Sequence, residues 1–481
     1  MRLYLRIALV VTVALFSQTV KAQMVTVPDP NFLIFLQNSD VAACLSGNQL
    51  DASCPEVVNK TELDCSNFNI SDLTGLEAFV HLDQLTCTGN QLTSLPDLPT
   101  SLEFLNCTGN QLFVLPSLPA GITALWCGQN QLGSLPSLPA SLQDLSTSFN
   151  ELTLLPTLPP TLLSLTCDHN QLLSLPGLPD SLLSLICGNN PLGVLPTLPP
   201  ALQVLWCYHD QLSSLPGLPD WLQSLDCSYN YLASLPNLPT ELQTLNCQYN
   251  LLSALPILAS TVQQLHCDNN QLSLLPSLPE SLQKLYCSNN QLTALPALPS
   301  SLQTLHSNNN QLSALPVLPL IMTELDISNN LGIVCLPPLE KLTGYPSYSS
   351  IANTGIVCVT NVIQHTGSIP SIDNLPVCGI FNPNGCDVAW AIEGNVYRDD
   401  NADCALNGNE PVVQNIKLEL LQGGNVQQQV YSNGAGNFSF DTNLGSYETR
   451  VDTAGLPFNV TCPTGNSNVS NLIVTDSLDY D

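Results

Sequence analysis

The stretch LQKLYCSNNQLTALPALPSS, residues 282–301, decides the fold, because its pattern returns every 20 residues between residues 82 and 330. Alternation around Leu285-Tyr286-Cys287 sends Leu285 and Cys287 inward and Lys284, Tyr286 and Ser288 outward, as in a short strand with one buried face. Asn290 follows at the turn, where an amide can satisfy backbone N–H and C=O groups that the bend leaves unpaired. Leu292 and Leu295 complete the apolar set. Pro296 and Pro299 then disfavour helix and favour an extended, polyproline-like return. A unit this short cannot bury its apolar face alone, so units must stack; about fourteen of them exceed the three or so that stability requires. The predicted fold is mainly β: a solenoid with a parallel sheet on its concave face and a thin, non-helical convex side.

Outward from the repeats, the chain divides into segments. Residues 1–22 read as a signal peptide: Arg2 and Arg6 precede an apolar run at residues 7–16, and Val20-Lys21-Ala22 offers a small-x-small cleavage site. That run is too short to span a bilayer and no later run is long enough, so the expectation is a secreted or cell-surface protein without membrane insertion. Residues 23–60 read as an N-terminal cap. Pro28-Asp29-Pro30-Asn31-Phe32 predicts a short helix with Asp29 as N-cap and Pro30 in its first position. Cys44 and Cys54 are close enough in sequence to pair in an oxidising compartment.

The repeats occupy residues 61–330. Residues 331–386 read as irregular closing turns, in which Asn330-Leu331-Gly332-Ile333-Val334-Cys335 recurs as Asn353-Thr354-Gly355-Ile356-Val357-Cys358. Cys335, Cys358, Cys378 and Cys386 are disulfide candidates with three possible pairings. Residues 387–481 carry alternating stretches such as Ile416-Lys417-Leu418-Glu419-Leu420 and Phe438-Ser439-Phe440 between Gly/Asn turns, the pattern of a small antiparallel β-sandwich.

The 481 residues include 9 Lys+Arg against 38 Asp+Glu, for a net charge of −29. Such a balance argues against nucleic acid and against an anionic membrane surface as partners. Lys284 is the one cationic side chain within the repeats, so ion pairs are not what holds the turns together.

Three constellations invite chemistry. The first is the column of cysteines from Cys87 to Cys287. Thr147, Ser307 and Ile327 hold the same place in their turns, parallel Cβ vectors suit a disulfide poorly, and a line of single ligands is not a tetrahedron. Core packing is therefore the preferred reading. The second is the set of outward side chains. Trp126, Ile186, Trp206, His266, Tyr286 and His306 precede the cysteine position, Tyr208 follows it, and Phe149, His169, His209, Tyr229 and Tyr249 stand at the trailing edge of the strand. Histidines two strand spacings apart cannot share a zinc ion. Aromatic clustering on one face reads instead as a ridge that binds a ligand. The third is Asp399, Asn401, Asp403, Asn407 and Glu410, oxygen donors at positions one, three, five, nine and twelve of a loop, the spacing of a structural calcium site, although Cys404 stands where such loops carry Gly. Cys404 and Cys462 form a further candidate disulfide.

The Leu-Pro-x-Leu-Pro-x-x-Leu-x-x-Leu-x-Cys-x-x-Asn-x-Leu unit resembles the short leucine-rich repeats of bacterial type III effectors, some of which are ubiquitin ligases; no segment here matches their catalytic domain. Pro28–Phe32 and Asn69-Ile70-Ser71-Asp72-Leu73-Thr74-Gly75-Leu76-Glu77 look closer to secreted leucine-rich-repeat proteins of the Bacteroidota. Residues 391–481 resemble the Cna-B-like (SD-repeat B) module of Gram-positive adhesins through Gly394-Asn395-Val396-Tyr397-x-Asp399-x-Asn401-x-Asp403 and Glu410. That resemblance implies a stalk domain stabilised by calcium. Together the readings predict a non-catalytic, adhesin-like extracellular protein that recognises a protein or glycan through the concave face. The alternatives are the recognition part of a larger secreted effector enzyme and a structural surface spacer; a catalytic or a sorting segment beyond residue 481 would separate them.

Overall fold

The computed structural model describes residues 23–319, 321–336, 348–357, 390–396, 411–442, 445–451 and 469–474. The signal-peptide reading, the calcium loop (Asp399, Asn401, Asp403, Asn407, Glu410) and Cys358, Cys378, Cys386, Cys404 and Cys462 lie outside the described residues. The chain divides into two compact units, Met1–Leu212 and Ser213–Asp481.

Near the start of the first unit, after a short strand at Met24–Thr26, comes a helix, Pro30–Gln37, whose N-cap is Asp29 and whose first position is proline. One Asp29 oxygen accepts from the Asn31 and Phe32 backbone N–H groups, both at 2.8 Å. The other accepts from the Ser71 N–H at 2.8 Å and the Ser71 hydroxyl at 2.7 Å. One buried carboxylate thus caps the helix and ties it to the first turn. Burial pushes its pKa up, but the donors from Ser71, Phe32 and Asn31 outweigh burial and leave it lowered. Cys44 and Cys54 form a disulfide with a Cα separation of 5.8 Å. Cys335 is also disulfide-bonded.

Short parallel strands follow, from Glu62–Asp64 to Val204–Trp206. Each pairs with the next in register, the first pair at a spacing of 22 residues and the later ones at the 20-residue repeat, as Leu165 with Leu185 and Leu185 with Leu205. In the second unit the same ladder runs from Ser224–Asp226 to Glu324–Asp326. These make a solenoid of about 13 turns of the 20-residue repeat. Tyr348–Ser350 then pairs in parallel with Glu324–Asp326. One more ladder strand therefore lies within residues 331–386, read from the sequence as irregular closing turns. The longer spacing, Glu324 to Tyr348, hides this turn from a search at fixed period.

Within each turn Leu282, Leu285, Cys287 and Leu292 and their equivalents are fully buried. Each such leucine contributes about 1.5–3 kcal/mol of burial. The Leu-Pro-x-Leu-Pro return is irregular and extended, with a single tightening in which the Leu302 N–H donates to the Pro299 carbonyl at 3.1 Å. The first turn differs, closing with a 3-10 helix, Leu76–Ala78.

Two side-chain columns fasten neighbouring turns. The amide of Asn290 donates to the carbonyls of Cys267 (3.0 Å) and Cys287 (3.2 Å), while its oxygen accepts from the Leu272 N–H (3.0 Å). Asn110, Asn150 and Asn170 do the same in theirs. The second column is a hydroxyl clip. Ser181 Oγ donates toward the Pro160 and Leu162 carbonyls of the preceding turn, both at 2.8 Å, and Ser101, Ser141, Thr161, Thr261, Ser281 and Ser301 repeat the arrangement. The ladder cysteines from Cys65 to Cys287 are buried and form no disulfide. Burial pushes the Cys127 thiol up to about 12, so it packs as a small hydrophobe and does not ionise.

Toward the C-terminus, Trp390–Asn395 pairs antiparallel with Asn437–Thr442. A second antiparallel sheet joins Asn425–Tyr431, Lys417–Gln422, Gly445–Val451 and Val469–Val474. Leu418, Leu420, Phe440 and Tyr447 form the buried cluster there. Among the described residues no helix is long and apolar enough to cross a membrane.

Candidate recognition surfaces

Outward side chains occupy three columns per turn, and the structure gives each a different character. The column before the cysteine is on the strand and projects outward as expected. Trp126 and Trp206 are exposed there. Trp126 stands edge-on to Phe104 at 5.1 Å and donates its indole N–H to Asp144 at 3.2 Å.

The column after the cysteine corrects the simple alternation. Ser288, expected outward, is buried, as are Ser228 and Asp168. The strand has already ended at this position, and side chains here bond along the stack: Ser148 donates to Asp168, and Ser288 donates to Asn308. Tyr208 lies over the preceding turn, where a Cβ on Gly188 would come within 2.7 Å of its ring. Only glycine leaves room for it.

The third column carries a second correction. Phe149, His169, His209, Tyr229 and Tyr249 are not on the strand edge; they sit in a left-handed turn just past it, with φ between 53° and 60°. Other turns place Gly89, Gly109, Asn189, Asn269, Asn289 or Asn309 at this position. Gly and Asn are the residues that adopt this backbone at little expense; a bulky side chain there costs about 1–2 kcal/mol. Five of the eleven aromatic or histidine ridge residues therefore stand where the fold would be better served by something smaller.

In the first unit these side chains assemble around Asp168. Phe149 stacks on His169 with centroids 4.0 Å apart, and Tyr208 meets His169 edge-on at 6.4 Å. Asp168 accepts from Tyr208 Oη at 3.3 Å and lies 2.7 Å from His169 Nδ1. His169 Nε2 faces the Asn189 amide nitrogen at 3.1 Å. The imidazole is thus held between a carboxylate at Nδ1 and an amide at Nε2.

In the second unit Tyr229 and Tyr249 stack at 4.2 Å. His266 stacks on Tyr286 at 4.4 Å, and His306 meets Tyr286 edge-on at 4.9 Å. Burial lowers the His266 pKa; Lys284 adds to that and Asp226 opposes it. Sequence reading missed the next position along these turns. Tyr231 and Leu251 are exposed there, where Gln271, Gln291 and Gln311 stand in later turns. With Tyr229 and Tyr249 they make a patch whose members are 40–61% exposed. The departure from Gln at that place was the available signal.

No protein-family model matches the chain. Among solved structures, YopM from Yersinia enterocolitica WA-314 superposes with a TM-score of 0.53 and 35% identity, covering 62% of this chain and 61% of that one. YopM from Yersinia pestis, described as a leucine-rich effector protein, gives 0.50 and 30%, covering 63% of this chain and 89% of that one. Internalin J of Listeria monocytogenes serotype 4b is 39% identical over 69 residues, which is 14% of this chain and only 7% of that protein's length.

Proposed function

The chain belongs to the bacterial leucine-rich-repeat proteins, and from that premise we propose that it is a non-catalytic recognition protein which binds an extracellular protein or glycan through the outward aromatic side chains of its turns. The observation that carries this reading is the third column. Phe149, His169, His209, Tyr229 and Tyr249 hold a left-handed backbone that Gly, Asn or, once, Gln129 holds in other turns. Strain of this kind persists where something other than stability is being served. Trp and Tyr with one face exposed are also the usual anchors of binding interfaces.

Two further features favour binding over catalysis. His169 has the carboxylate partner of a general base, but its Nε2 faces an amide, which is no nucleophile. The ladder thiols are buried, and burial pushes that of Cys127 up to about 12. Secretion through residues 1–22, and a stalk role for the C-terminal sheets with calcium at Asp399–Glu410, complete the proposal.

The test uses the first unit. In Trp126→Ser, Trp206→Ser, Phe149→Asn, each replacement is a residue that other turns carry at that position. Wild type and variant are compared on arrays of extracellular proteins and glycans. Binding by wild type that falls at least about tenfold in the folded triple variant is expected. Equal capture by both proteins would remove these side chains from the function.

A further inference from the structure

The patch formed by Tyr229, Tyr231, Tyr249 and Leu251 has no counterpart in the turns around it. In the turn that follows, the equivalent positions are Asn269 and Gln271. Two adjacent turns therefore exchange four polar side chains for apolar ones, all exposed, and stack two of the rings at 4.2 Å. A stacked pair presents an outer π-face carrying partial negative charge.

The charge around the patch has one sign. Asp226 lies three residues before Tyr229 on the same turn, held by Ser228 Oγ at 2.6 Å and by the Asn246 amide at 2.9 Å. Asp268 lies on the neighbouring turn, where its carbonyl accepts the Tyr249 N–H at 2.9 Å. No Lys or Arg occurs between Lys60 and Lys284, while Asp and Glu recur throughout that span. An approaching group that is flat, cationic and hydrogen-bonding finds π-faces, with carboxylates on the same turn and on the next. A guanidinium satisfies both, stacking on tyrosine and pairing with a carboxylate.

We propose that the patch of Tyr229, Tyr231, Tyr249 and Leu251 is the docking site for a basic, arginine-bearing polypeptide segment. This rests on the recognition role proposed above and names its partner by chemistry. A second copy of this acidic chain is repelled, and a neutral glycan brings hydroxyl donors but no charge to pair with the carboxylates.

The probe is a synthetic oligo-arginine peptide, titrated against the whole protein at low and at moderate salt. A neutral oligosaccharide and an acidic peptide serve as controls. The variant Tyr229→Asn, Tyr231→Gln, Tyr249→Asn, Leu251→Gln installs the residues of the following turn and leaves the net charge unchanged. Affinity at least about tenfold weaker than wild type is expected for it, with the difference persisting as salt rises, because diffuse attraction is screened and stacking is not. Tyr229→Phe, Tyr249→Phe keeps the rings and is expected to bind within about threefold of wild type. Equal affinity of wild type and the quadruple variant would overturn the proposal, leaving charge alone as the attraction. Preference for the oligosaccharide or the acidic peptide would overturn it as well. Either result leaves the Trp126, Trp206 and Phe149 test in the other unit standing, so the two readings fail separately.

Discussion

At the scale of the residue, the asparagine column shows how one substitution carries a pH dependence. Asp210 occupies the place that Asn190 and Asn170 hold in their turns, and it is fully buried. An amide in this seat donates N–H groups to carbonyls and accepts a backbone N–H. A carboxylate can accept, as it does from the Asn190 N–H at 2.9 Å, but it can donate only when protonated. Burial first, and the Asp168 charge second, push its pKa up to about 8, against relief from Asn190 and Cys187. A folded-state pKa above the unfolded one means that Asp210 contributes stability in full below the ordinary carboxylate range and loses it as pH rises through about 8. Asp210→Asn is therefore expected to raise the Tm at pH 7 and more so at pH 8, with the gap between variant and wild type closing toward pH 4. Thermal unfolding across that range checks it; a gap that stays constant with pH would show that Asp210 does not titrate in its seat.

At the scale of the element, each turn is a three-residue strand, too short to persist alone, and the connections between turns supply what length does not. The hydroxyl clip is the clearest of these. Ser181→Ala removes both carbonyl contacts and is expected to cost about 0.5–1.5 kcal/mol in chemical denaturation. Ala201→Ser places a hydroxyl where that turn lacks one and is expected to return a gain of the same order. The clip was not legible in the sequence because Ser, Thr, Gly, Ala and Glu all occur at that position, and a polar residue beside proline reads as an ordinary loop. The Leu, Cys and Asn columns were legible, since strict recurrence at 20 residues leaves buried packing as the simplest cause. The ridge residues were legible by type and misplaced by geometry. Alternation assumes that the strand continues past the cysteine, whereas the chain turns left-handed two residues later, at Phe149, His169 and Tyr229. Tyr231 and Leu251 were not legible by alternation because they lie in the turn beyond the strand.

At the scale of the whole molecule, stability and recognition are drawn from different positions of the same repeat. Inward positions vary little and the thiols among them are inert. Outward positions vary, and the exposed aromatic side chains of Phe149, Tyr229 and Tyr249 stand in a backbone conformation that disfavours them. The central claim is that Phe149, Tyr229 and Tyr249 are present for recognition and not for the scaffold. Replacing each with Asn relieves about 1–2 kcal/mol of left-handed strain and gives up about 0.5–1.5 kcal/mol of ring stacking. The measurement that tests this most directly is the unfolding free energy of Phe149→Asn, Tyr229→Asn, Tyr249→Asn, read together with its ligand capture. The expected result is stability within about 1 kcal/mol of wild type per site and capture lost. Destabilisation of about 3–5 kcal/mol per site, as for a core aromatic, with capture retained, would contradict it.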